Sequence, residues 1–79
     1  MTSEPTHLGV LLADLRDSAA MSLAKAAKLI GCSKAHLWDL ESGRAVNPTI
    51  KLLSSIARVY NCDLGRLAVV AAGATPNDQ

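Results

Sequence analysis

"SLAKAAKLIGCSKAHLWDLESG", Ser22 to Gly43, decides the fold. Two short segments repeat apolar residues at helical spacing, the first through Ala26, Ala27 and Ile30, the second through Leu37 and Leu40. Spacing of three and four residues puts each set on one stripe of a helix, with the polar residues on the other side. Ser22 and Ser33 stand where each helix needs an N-cap, because a hydroxyl there accepts an N–H that the first turn leaves unpartnered. Gly31 and Gly43 stand where each helix must stop, since glycine enters the left-handed region without a Cβ penalty. Only Gly31, Cys32 and Ser33 separate the segments, so the chain has room for a tight turn and nothing more.

Working outward, Leu8, Leu11, Leu12 and Leu15 form one stripe of a first helix over roughly Thr6 to Ser18, with Pro5 suited to its first turn. After the loop "RAVNP", the segment Thr49 to Tyr60 places Ile50, Leu53, Ile56, Ala57 and Tyr60 on one side, with Thr49 or Asn47 as its cap. A fifth helix from about Leu64 to Ala72 is capped by Asp63 and stopped by Gly73. Its later half, "LAVVAA", is apolar on nearly every side, and a terminal helix of a small domain cannot bury all its faces against its own chain. Leu64, Leu67, Val69, Val70 and Ala71 are therefore the candidate surface for a second copy. The ends, Met1 to Glu4 and Ala74 to Gln79, are polar and expected to fray.

Composition agrees with helices. Apolar residues make up 49% of the chain, yet there is one Trp, one Tyr and no Phe, so the β-branched and aromatic runs that sheets prefer are scarce. The expectation is a single all-α domain over residues 1–79, ordered from about 6 to 73. Cys32 and Cys62 sit in matching settings, "IGCS" and "YNCD", without the spacing of a metal site; they read as small buried apolar residues in a reducing cytoplasm, the alternative being a reactive or bridged pair. No metal or cofactor is expected. No stretch has the length of a membrane span, and "MTSEPTH" lacks the pattern of a signal peptide. No glycine-rich phosphate loop, HExxH or supported pair of carboxylates is present, so the chain reads as a non-enzyme.

The net charge of +1 is low for a nucleic-acid binder, but the charge is unevenly placed. In residues 1–21, Arg16 is outweighed by Glu4, Asp14 and Asp17; in residues 22–51, Lys25, Lys28, Lys34, Arg44 and Lys51 outweigh Asp39 and Glu41. With Leu37 and Leu40 turned inward, the rotation of a helix leaves Lys34, Ala35, Trp38 and Asp39 outward, and His36 and Glu41 on the flanks. Trp38 has two readings, a partly buried core residue or an exposed contact.

These residues resemble the lambda-repressor and Cro-like (Xre) class of helix-turn-helix domains over residues 8 to 67. The match lies in a small residue at Ala27, the turn glycine at Gly31, apolar positions Ala26, Ile30, Cys32, Leu37 and Leu40, the triplet Glu41-Ser42-Gly43, the run Pro48-Thr49-Ile50, Ala57, and the paired Leu64 and Leu67. The resemblance implies a compact five-helix DNA-binding domain whose third helix enters the major groove of double-stranded DNA. It assigns base reading to Lys34, Ala35, Trp38 and Asp39, and backbone contacts to Ser22, Lys25, Lys28, Ser33, His36, Arg44 and Lys51. It also implies scaffold roles for Arg16, Ala27, Gly31, Leu37, Leu40 and Glu41, with Arg16 and Glu41 at positions the class commonly pairs; otherwise they are two solvated charges. One departure is Leu23, where many members carry a glutamine.

The expected function is a sequence-specific transcriptional regulator of the small phage or bacterial repressor kind, cytoplasmic and nucleoid-associated when bound, acting as a homodimer on a palindromic operator. The alternative is a protein-interaction module of the same fold, such as an anti-repressor or antitoxin-like partner, which Trp38, Asp39, Leu23 and the low charge favour.

Overall fold

The computed structural model describes residues 7–45 and 47–72. Five helices follow one another: α1 (His7–Ser18), α2 (Leu23–Ile30), α3 (Lys34–Ser42), α4 (Ile50–Tyr60) and α5 (Leu64–Ala71). The expected Pro5 start, the Gly73 stop and the polar ends fall outside the described residues. Among those described, no helix is long and apolar enough to cross a membrane.

Side chains set the starts of four helices. Ser22, Ser33, Thr49 and Asp63 each accept a hydrogen bond from the backbone N–H three residues on, at 3.0 to 3.1 Å. Each such cap contributes about 1 kcal/mol. Thr49, rather than Asn47, caps α4.

The matching settings of the two cysteines have a common cause. At the end of α2 Gly31 takes φ 96°, and at the end of α4 Asn61 takes φ 53°. In each case the cysteine that follows turns its N–H back to a helix carbonyl, Cys32 to Ala27 at 3.0 Å and Cys62 to Ala57 at 2.9 Å. The next residue, Ser33 or Asp63, caps the following helix. This left-handed termination places the cysteine where an apolar contact with the helix just ended is favoured. Both thiols pack against the core but remain half-buried rather than fully enclosed, and burial pushes both above the usual thiol range.

The core is built from one stripe per helix: Leu8 and Leu12; Ala26, Ala27 and Ile30; Leu37 and Leu40; Leu53, Ile56, Ala57 and Tyr60; Leu67 and Val70. Three of the sequence expectations need correction. Ile50 is 64% exposed: it is the first residue of α4, at the mouth of the stripe that begins in earnest at Leu53. Leu67 and Val70 are buried in the chain's own core, so the expected dimer surface is not one face; of its members only Val69 is exposed, with Leu64 and Ala71 half-buried. Glu41 is buried, not on the flank of the outward face.

Candidate nucleic-acid interface

What holds α3 in place determines which of its faces is free. Gly9, in the first turn of α1, lies against the end of α3: a Cβ there would come to 2.9 Å from the carbonyl oxygen of Leu40 and closer still to that of Glu41. The two backbones can approach this closely only because the residue is glycine. About two turns further along α1, Arg16 reaches the same end of α3. Its Nε donates to Glu41 Oε2 at 2.8 Å and its Nη2 to Glu41 Oε1 at 3.0 Å, a two-pronged pair, while Nη1 donates to the carbonyl of Met21 at 3.0 Å. The pair thus ties α1, the turn before α2, and α3 together. Glu41 holds the Arg16 guanidinium above its usual range, chiefly through these hydrogen bonds.

Tyr60 of α4 is near enough to this pair to feel both of its charges. Its hydroxyl is buried without a hydrogen-bond partner among the described residues. Burial first, and the nearby Glu41 carboxylate second, push the phenol up to about 12.

With its inner side fixed, α3 presents Lys34, Ala35, His36 and Trp38 to solvent, and Asp39 half-buried. Trp38 is 50% exposed and is not among the buried residues that make up the core. Ala35 and Trp38 lie one turn apart on the same side, so the centre of the face is apolar, with Lys34 at its start. Ser22, Lys25 and Lys28 at α2, Ser33 at the start of α3, Arg44 beyond its end and Lys51 on α4 are also exposed. The serine hydroxyl oxygens accept helix N–H groups, which leaves each hydroxyl hydrogen to donate outward. At the far end of α3, Gly43 at φ 86° and the hydrogen bond from the Ala45 N–H to the Asp39 carbonyl, 3.0 Å, turn the chain away toward Arg44.

Sequence reasoning missed Gly9 and Tyr60. For Gly9 a signal was present: an isolated glycine inside a helical pattern lowers helix stability by about 1 kcal/mol and needs a packing reason. For Tyr60 none was, since membership of an apolar stripe does not say whether a hydroxyl finds a partner.

Two short helices joined by a three-residue turn, the second fixed from behind and uncovered in front, make a helix-turn-helix unit. The helix-turn-helix domain family matches residues 7–70, and the chain belongs to it. It is 40% identical over 60 residues to the ImmF control region 10 kDa protein of Bacillus phage phi105, an alignment covering 76% of this chain and 66% of that protein, just under two thirds of the relative's length. Among solved structures it is similar to the clp gene regulator ClgR from C. glutamicum, with a TM-score of 0.69 and 27% identity, over 85% of this chain and 86% of that one.

Proposed function

We propose that this protein is a sequence-specific DNA-binding transcriptional regulator that places α3 in the major groove. The observation that carries the reading is the free face of α3: Lys34, Ala35 and Trp38 exposed on a helix anchored from behind by Gly9 and the Arg16–Glu41 pair, with Lys25, Lys28, Arg44 and Lys51 also exposed. A protein called a phage control-region protein and a gene regulator among its relatives supports it.

In this reading Lys34, nearest the bases, donates to a guanine edge or a phosphate, Ala35 and Trp38 cover thymine methyl groups or deoxyribose, and Asp39 accepts from cytosine N4. Ser22, Lys25, Lys28, Ser33, His36, Arg44 and Lys51 contact the backbone and set the register. One such domain buries too little DNA for high specificity, so two copies act on half-sites one duplex turn apart, as a repressor or Cro-like protein does. The test is selection of bound sequences from random duplexes: a palindromic consensus with half-sites about ten base pairs apart supports the reading. Failure to bind any duplex or heparin in low salt overturns it, and leaves the second reading, a protein-interaction module for which the half-exposed Trp38 is the observation in favour.

A further inference from the structure

We infer that the groove between α1 and α5 is the surface on which a second copy of this chain docks, by a two-fold contact in which Asp14 of each copy meets Arg66 of the other. The inference deepens the two-copy reading proposed above and replaces the α5 surface expected from sequence, whose Leu67 and Val70 are already used by the chain's own core.

The groove has a volume of about 250 Å³ and is lined by His7, Val10, Leu11, Asp14, Arg66 and Val70. Its floor is apolar, made by half-buried Leu11 and buried Val70. Val10, on the α1 wall, is 49% exposed and extends the apolar floor toward solvent. Asp14 on the α1 wall and Arg66 on the α5 wall are exposed, and among the described residues neither side chain forms a hydrogen bond or ion pair, the ion pair there being Arg16–Glu41.

The charges select the occupant. A ligand or partner of one sign facing this groove would meet a like charge on one wall. A second copy turned through a two-fold axis presents the two charges in the opposite order, so both walls are matched at once and each copy offers its exposed Val10 to the other's apolar floor. No residue of the groove belongs to α2 or α3, so pairing here leaves the helix-turn-helix unit uncovered.

The test is sedimentation equilibrium of the full chain without DNA, for the natural protein, Asp14→Arg, Arg66→Asp and the double exchange, with helical circular dichroism and melting recorded for each. The natural protein is expected to show a concentration-dependent monomer–dimer equilibrium. Each single reversal faces like charges twice in the interface and should raise the dimer Kd on the order of tenfold or more, and the double exchange should restore it. A natural protein that stays monomeric at all concentrations, a dimer indifferent to both reversals, or a folded double exchange that stays monomeric overturns the inference. Binding of a single half-site duplex by the same variants is read separately: its loss in the natural protein counts against the DNA reading, not against the groove.

Discussion

Arg16 and Glu41, 25 positions apart in the chain, meet as a two-pronged ion pair that joins the first helix to the end of the third. The partners are unequal: the Glu41 side chain is 3% exposed and that of Arg16 23%. Removing Arg16 leaves a buried carboxylate without its cation, whereas removing Glu41 leaves a guanidinium that still donates to Met21 and reaches water. Arg16→Ala should therefore cost about 3 kcal/mol and Glu41→Ala distinctly less, because an uncompensated buried charge is the expensive product. Urea unfolding of the two variants checks the order; equal losses, or none, would contradict a clamp of this kind.

Tyr60 gives the fold an alkaline limit. Its phenol is pushed up to about 12 by burial, from 10 when exposed. Between these values the unfolded chain has lost the proton and the folded chain keeps it. The contribution is therefore complete below pH 10 and is lost as pH rises from 10 through 12, by about 2–3 kcal/mol in all. Tyr60→Phe should remove that part of the loss. Because the buried hydroxyl has no partner among the described residues, the same change should be neutral or stabilising by up to about 1 kcal/mol at pH 7. Denaturant titrations at pH 7 and across pH 10–12 measure both effects.

Gly9 and Gly31 are glycines for different reasons, and alanine should separate them. At Gly31 nothing lies near an added Cβ, so only the φ of 96° resists it, at a net cost of about 1 kcal/mol. At Gly9 the methyl strikes the backbone of Leu40 and Glu41, which cannot rotate away. Gly9→Ala should cost about 1–3 kcal/mol despite alanine's better helix propensity. It should also weaken DNA binding, since α3 must move to relieve the overlap. Unfolding free energies together with duplex titration distinguish the two cases.

Trp38 sits on the free face with no part in the core, so Trp38→Ala should change stability by no more than about 0.5 kcal/mol. On a duplex obtained by selection it should lower affinity about tenfold, and replacing thymine by deoxyuridine under Trp38 should weaken the natural protein but not the variant. A variant that unfolds and ceases to bind together would return Trp38 to a structural role.

Lys25, Lys28 and Lys51 are exposed cations outside the reading helix. Removing any one should weaken binding to all duplexes alike and reduce the slope of log K against log salt by about 1. A change in sequence preference instead would move that lysine from the backbone to the bases.

Much of this architecture was legible along the chain because it depends on neighbours in sequence. The caps at Ser22, Ser33 and Asp63, the stop at Gly31, and the stripes that became the core follow from hydrogen bonds and periodicities spanning at most a few residues. So did the outward turn of Lys34, Ala35 and Trp38, which the inward Leu37 and Leu40 dictate. Ile50 failed the same logic, because a position on the stripe is buried only where another helix covers it.

What the sequence alone determined is thus the set of helices, their order and most of the inner side of α1 to α4, since those rest on local geometry. Tertiary structure decided the rest: that Gly9 is a point of backbone contact, that Tyr60 hides a hydroxyl beside an ion pair, that Leu67 and Val70 face inward while Val10 and Val69 face out, and that Asp14 and Arg66 flank one groove. Each of these depends on which residues distant in the chain are brought together when the helices pack, and no spacing within one helix encodes that.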